Sequence, residues 1–215
     1  MKAAFFDMDG TLVDSKSDLC ATVNHARRDF GLPERPESEI IVHVGLGARH
    51  LLESAIPELA GNVDELRDRF MARYGEHMLE RVRPYPGVEE TLERLASRGW
   101  LLGVNTAKPA FAVKAILEKF GLDRFFGAAV VAGGDCAEMK PSALPLVECS
   151  ARMGGRRLSP GDWMIGDNWT DVECAKNAGV NSAFCAFGFG RRGETRPTAE
   201  VASFAELDGL LGDAS

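Results

Sequence analysis

Long apolar runs are missing from this chain: none approaches the ~18 residues that a membrane-spanning helix requires. Before Asp7 only Ala3-Ala4-Phe5-Phe6 is apolar, far short of the core of a secretory leader. Cysteine follows no pairing pattern, since Cys20, Cys136, Cys149, Cys174 and Cys185 form no Cys-x-x-Cys and are odd in number. With four scattered histidines, His25, His43, His50 and His77, no zinc-ligand spacing emerges. These absences predict buried thiols in a reducing compartment and a soluble cytoplasmic protein without a membrane partner. Positive charge is also in deficit. A net charge of -7 argues against a nucleic-acid surface, because phosphate backbones are bound by concentrated Lys and Arg. No internal repeat or low-complexity tract is present, and dispersed Gly and Pro exclude a collagen-like chain.

What is present is an apolar content of 45% in 215 residues, enough for one large domain or a core with a smaller insert. The most informative stretch is Phe5-Phe6-Asp7-Met8-Asp9-Gly10-Thr11-Leu12-Val13-Asp14. Ala3 to Phe6 reads as a buried strand ending at Asp7, and ligands of open α/β sheets sit just beyond the carboxyl ends of strands. Asp7 and Asp9 are two apart, so both carboxylates project to one side if the extended geometry persists. At ~4 Å and an effective dielectric near 20, two such charges repel by roughly 4 kcal/mol. The pair therefore needs a cation, a shared proton or a division of roles. A hard metal such as Mg²⁺ supplies the first, with Gly10 letting the backbone turn around it. The bland alternative is a capped turn. A calcium loop is the other rival, but its glycine belongs at the sixth position and Gly10 is fourth.

After this turn the spacing predicts helices over Lys16 to Phe30, with Ser15 as N-cap, then around Glu37 to Val44, Ala48 to Ile56 and Val63 to Arg81. No strand-like alternation occurs between Asp14 and Arg83, which suggests an inserted helical cap. Pro84-Tyr85-Pro86-Gly87 marks the return. Beyond it, helices at Val88 to Ser97, Ala110 to Phe120, Ser142 to Met153, Asp171 to Ala178 and Ser203 to Leu211 alternate with strands. The strands are expected at Trp100 to Asn105, Ala128 to Ala132, Trp163 to Ile165 and Ser182 to Phe187. That alternation predicts a doubly wound, Rossmann-like parallel sheet. The expected division is a core of residues 1–14 and 84–215 with an all-helical cap of 15–83.

Three further stations fall at the ends of expected strands. Thr106 could hydrogen-bond a phosphoryl oxygen, though a helix N-cap is the ordinary role of such a threonine. Lys140, just before Pro141, could neutralise a phosphate, though most lysines there are merely solvated. Asp167 and Asp171 lie four apart near a helix start, where they and Asp7 could surround a metal, or simply cap the helix. In the cap, Gly45-Leu46-Gly47-Ala48-Arg49-His50 offers a loop whose Arg49 could hold the anionic end of a substrate. The rival there is an interhelical turn with a solvated arginine. Phe187-Gly188-Phe189-Gly190 with Arg191-Arg192 is a second loop expected near the site.

In order, Asp7-x-Asp9-Gly10-Thr11, Thr106, Lys140-Pro141 and Gly166-Asp167-x-x-x-Asp171 resemble the four-motif set of the haloacid dehalogenase-like superfamily. Pro84-Tyr85-Pro86-Gly87-Val88, Lys108-Pro109, Phe120-Gly121-Leu122 and Ala178-Gly179-Val180 resemble its phosphoglycolate phosphatase-like branch, from which Ala107 departs in place of asparagine. The resemblance implies that Asp7 attacks phosphorus to give an aspartyl phosphate and that Asp9 acts as acid, then base. Thr106 and Lys140 would hold the phosphoryl oxygens. Mg²⁺ would take the Asp7 side chain, the Asp9 backbone carbonyl and Asp167, with Asp171 completing or orienting that shell. The implied activity is hydrolysis of a small anionic phosphomonoester, 2-phosphoglycolate being the first guess, by a monomer or homodimer. A sugar phosphomutase of the beta-phosphoglucomutase type and a non-catalytic binding protein retaining the fold are the alternatives.

Overall fold

A computed structural model describes residues 1–214. Five crossovers build its main sheet. Strand β1 (Ala3–Phe6) is followed, after a short β2 (Val13–Asp14), by helices α1 (Lys16–Asp29), α2 (Glu37–Ile40), α3 (Gly47–Ala55) and α4 (Val63–His77). The chain returns through β3 (Arg83–Pro84) into α5 (Val88–Ser97), β4 (Leu101–Pro109), α6 (Ala110–Lys119), α7 (Asp123–Phe126) and β5 (Val130–Gly133). Then come α8 (Leu144–Ala151), β6 (Trp163–Gly166), α9 (Trp169–Ala178), β7 (Asn181–Cys185), β8 (Ala199–Val201) and α10 (Glu206–Leu211).

The sheet runs β5-β4-β1-β6-β7-β8 and every pairing in it is parallel. In order of appearance its strands follow the doubly wound arrangement, whose direction reverses between β1 and β6. The carboxyl ends of those two strands carry Asp7 and Asp167. A central strand buried on both faces must be apolar throughout, as Ala3-Ala4-Phe5-Phe6 is. Its side chains serve two cores. Ala4 and Phe6 join Val104, Ile165 and Phe204 on one face, while Ala3 and Phe5 join Val131, Met164 and Cys174 on the other. Full burial of one such phenylalanine stabilises the fold by about 1.5–3 kcal/mol.

The helical insert has a core of its own, built from Leu19, Val23, Ile40, Leu52, Leu66, Phe70 and Tyr74. Arg27, 1% exposed, stitches its turns together by donating to the carbonyls of Pro33 at 2.7 Å and Ala55 at 2.9 Å and pairing with Glu58 at 3.0 Å. The two connections to the sheet lie side by side as an antiparallel pair, Val13 against Pro84 and Asp14 against Arg83. This two-residue ladder is too short to register as alternation in the sequence. Asp18 then fastens the return segment, its carboxylate accepting the backbone N–H of Arg81 and of Val82 at 2.9 Å. That capture explains why α4 stops at His77 instead of running to Arg81.

Other boundaries also differ from expectation. Strand β4 continues past Asn105 to Pro109, with an irregular register against β5 beyond Asn105, so Thr106 lies within it and not after it. Helix α6 starts at Ala110 with Pro109 at its N-cap, which rules Thr106 out of that capping role. Helix α8 begins two residues late, at Leu144, after a cis Lys140-Pro141 bond. The C-terminal helix starts at Glu206, three residues later than expected. Strand β8 was not anticipated, being three residues long.

Candidate active site

The first two carboxylates turn out to have separate cations. Asp7, at the end of β1, accepts the Met8 N–H at 2.7 Å on one oxygen and lies 3.0 Å from the Lys140 ammonium on the other. Asp9 accepts instead from Lys108 Nζ at 2.6 Å, and from the Ser15 hydroxyl on the same oxygen. Ser15 occupies the N-cap position of α1 but makes no capping bond. Its hydroxyl serves Asp9 instead. Both lysines are buried, and burial by itself would push each ammonium toward neutrality. The Asp9 carboxylate, helped by the Tyr74 hydroxyl, outweighs that penalty for Lys108, and the carboxylates of Asp171 and Asp7 outweigh it for Lys140, so both are raised.

Asp7, Asp167 and Asp171 each offer a carboxylate oxygen within 4.8 Å of the others. Asp167 follows β6, and one of its oxygens accepts the backbone N–H groups of Phe189 at 3.0 Å and Gly190 at 2.7 Å. Asp171 stands in the first turn of α9, where it accepts the Asn168 N–H at 3.0 Å and the Lys140 ammonium at 2.6 Å. The capping role and the acidic cluster, weighed above as rivals, are thus filled by one side chain. Burial, reinforced by the charges of Asp7 and Asp171, pushes Asp167 well above the usual carboxylate range. Burial likewise raises Asp171 to about 6 against the pull of Lys140. Three buried carboxylates against one ammonium leave the cluster short of positive charge. An all-oxygen donor set of this kind suits a hard divalent cation, and Asp7, Asp167 and Asp171 are the residues able to hold one.

Backbone approach is tight here. Gly10 has φ of +78°, and a Cβ on it would overlap the Asp167 carboxylate. A Cβ on Gly188 would run into the Gly10 carbonyl and the Asp167 side chain. Only glycine fits at either place.

Above the carboxylates lies a cleft between sheet and cap, lined on the sheet side by Asp7, Asp9, Thr106, Ala107, Lys108 and Asp167. From the cap come Val44, Gly45, Ala48, Leu51, Phe70 and Tyr74. The glycine-flanked loop therefore does face the core, but Arg49 does not. Its guanidinium, 58% exposed, pairs with Glu53 at 2.9 Å and Asp64 at 3.3 Å on the cap surface, which corrects the expectation that it holds the substrate. Arg49→Ala should consequently leave KM for anionic substrates within about twofold, in keeping with the ~0–1 kcal/mol of exposed ion pairs. A tenfold rise in KM would return Arg49 to the site.

Sequence reasoning missed Tyr74 and passed over Lys108 as part of a Lys-Pro signal. The Lys108 ammonium donates to the Tyr74 hydroxyl and lies 5.0 Å from the centre of its ring. The Phe187 to Arg192 loop was expected near the site, and the structure brings its Phe189 and Gly190 N–H groups to Asp167. It also reaches the cap, Arg191 donating to the Val42 carbonyl at 2.7 Å.

An acidic centre at the switch point of a doubly wound sheet, roofed by a helical insert, defines a capped α/β protein. Residues 4–185 match the sequence profile described as haloacid dehalogenase-like hydrolase, and the chain belongs to that family. A phosphoglycolate phosphatase of Agrobacterium fabrum is 35% identical, covering 97% of this chain and 91% of the relative. One of Chromobacterium violaceum is also 35% identical, over 98% and 96% of the two chains. The crystal structure of a predicted phosphoglycolate phosphatase of Haemophilus somnus superposes with a TM-score of 0.90 at 29% identity, covering 99% of this chain and 98% of that one.

Proposed function

We propose that this chain is a Mg²⁺-dependent phosphatase acting on a small anionic phosphomonoester, with 2-phosphoglycolate the first substrate to test. The observation that carries this reading is the pairing of one clustered carboxylate, Asp7, with a second, Asp9, that stands outside the metal cluster and has its own lysine. Asp7 is the proposed nucleophile. Asp9 is the proposed acid for the leaving oxygen and then the base for water, a division supported by the separate charge environments of the two. Lys140 and Thr106 are the proposed holders of the phosphoryl oxygens as charge develops. Asp7, Asp167 and Asp171, with the Asp9 carbonyl, would hold Mg²⁺, which when bound offsets the phosphoryl charge beside Lys140. The division into a core of residues 1–14 and 84–215 and a cap of 15–83 is supported by the Val13-Asp14 and Arg83-Pro84 ladder, where both connections cross. The cleft, with a volume of about 50 Å³, favours a small substrate over a drug-sized ligand, whose pockets run ~300–1,000 Å³. The relatives at 35% identity are named phosphoglycolate phosphatases, and that substrate carries a carboxylate beside its phosphate.

The test is phosphate release from a panel of phosphorylated metabolites and nitrophenyl phosphate, with Mg²⁺ and with excess EDTA. Release should require the metal, and full activity in metal-free protein would refute the site assignment. In the same assay Asp9→Asn should cost an alkyl phosphate something like 10² to 10⁴ in its first turnover, because its alkoxide leaves poorly unprotonated. Nitrophenyl phosphate should lose far less in that step, while aspartyl phosphate accumulates for want of a base. Equal slowing of both first turnovers would remove Asp9 from the acid's role.

A further inference from the structure

We propose that Tyr74 is a positioning residue carried by the cap: through Lys108 it fixes the Asp9 carboxylate, so the proposed acid–base group is set only while the cap lies on the core. The inference rests on the phosphatase reading above and goes beyond it by giving the cap a part in the chemistry. Three distant segments meet at one ammonium. Tyr74 belongs to α4, Lys108 to the end of β4, and Asp9 to the loop after β1. An ammonium has three N–H donors and no acceptor, and Lys108 directs two of them at the Asp9 carboxylate and the Tyr74 hydroxyl. With its side chain 1% exposed, losing either acceptor leaves a buried N–H unsatisfied. The ammonium is therefore held where both acceptors can be reached.

Asp9 responds in kind. Lys108 and Ser15 both donate to Oδ1, and Oδ2 accepts no hydrogen bond among the described residues. One oxygen anchors the side chain while the other is left for proton transfer in the cleft that Asp9 lines. Both anchors depend on the cap. Ser15 begins the first cap helix, and Tyr74 is packed rigidly within the cap core, stacked on Phe70 with centroids 5.6 Å apart and 1% exposed. Lifting the cap would hydrate Lys108 and free its long side chain to leave Asp9.

Tyr74→Phe removes only the hydroxyl and keeps the stacked ring. With the alkyl phosphate turned over fastest in the panel, kcat should fall about 10- to 100-fold, part of the 10² to 10⁴ that loss of a general acid costs, with KM within about twofold. The first turnover of nitrophenyl phosphate should fall less than about threefold. Lys108→Met should show the same selectivity, and the double variant should be no slower than Lys108→Met alone. The ratio between the two substrates does not depend on the fraction of protein folded, so partial destabilisation leaves it readable. A second measurement needs no turnover: labelling of Lys108 by an amine-reactive reagent, read by mass spectrometry, should rise several-fold in Tyr74→Phe. Equal losses on both substrates, an effect on KM alone, or additive losses in the double variant would overturn the proposal. Should the wild-type chain release phosphate from nothing, the phosphatase reading fails, and the labelling decides the latch separately: unchanged protection of Lys108 overturns it.

Discussion

Asp7→Asn should leave no measurable turnover with any phosphate ester, a fall of at least ~10⁴ in kcat, equivalent to about 5.5 kcal/mol of lost transition-state stabilisation. The substitution is nearly isosteric, and the amide oxygen can still accept the Met8 N–H that Asp7 now receives at 2.7 Å. What disappears is the anionic oxygen facing Lys140 at 3.0 Å, the atom proposed to attack phosphorus. An amide oxygen is too weak a nucleophile to replace it. Asp9 cannot take over, because its carboxylate is tied to Lys108 and Ser15 and stands outside the cluster of Asp7, Asp167 and Asp171. Unlike Asp9→Asn, the loss should be independent of the leaving group. The fold should survive, since the change removes one of three mutually repelling buried charges. Phosphate release with alkyl and nitrophenyl phosphates, beside thermal melting, checks both halves. A variant folded and within tenfold of wild type would show that Asp7 is not the nucleophile.

The contrast between Asp7 and Tyr74 shows what the chain discloses when read alone. Asp7-x-Asp9-Gly10 is legible because a short apolar strand and a glycine place the carboxylates at a strand end whatever the rest of the fold does. The strands around it are equally legible, being buried on both faces and punctuated by Gly and Pro. Tyr74 has no such local marker. It continues the stripe of Leu66 and Phe70 on α4 and reads as one more apolar position, because the aim of its hydroxyl is set by how the cap is docked and not by its own helix. Lys108 is hidden for a related reason: the irregular end of β4, not sequence spacing, turns it beneath the cap. Arg49 fails in the opposite direction. A glycine-flanked loop tells that a segment approaches the core, but on α3 Leu51 and Leu52 are the buried positions, and Arg49 finds Glu53 one turn along. Of the three ways open to the first two carboxylates, a cation, a shared proton or a division of roles, sequence spacing could not choose, because it does not show which lysines arrive. Each has its own lysine, drawn from segments 133 and 99 residues away along the chain, the differences 140-7 and 108-9.

The metal-free protein should become less stable as pH rises from about 4 through about 6, and Mg²⁺ should reverse that loss only at the higher pH. Burial raises Asp171 from 3.8 to about 6 and carries Asp167 well above 3.8. An acid whose folded pKa exceeds its unfolded one keeps its proton longer in the folded state. Between the two values the folded chain binds more protons, so the contribution to stability is in place below the unfolded pKa and is lost as pH rises through the folded one. The physical cause is three carboxylates charging together around a single Lys140. A divalent cation binds their charged form and competes with the protons, so its stabilisation grows as they leave. Melting curves with excess EDTA and with saturating Mg²⁺ at about pH 5 and about pH 7.5 should therefore differ by several degrees at the higher pH and hardly at the lower. Other titrating groups shift both curves alike and cancel in the difference. Asp171→Asn removes one charge from the cluster, so its metal-free melting temperature should exceed that of wild type near pH 7.5 and its Mg²⁺ gain should shrink. A Mg²⁺ shift of equal size at both pH values, or one untouched by Asp171→Asn, would show that the cation does not bind at these carboxylates.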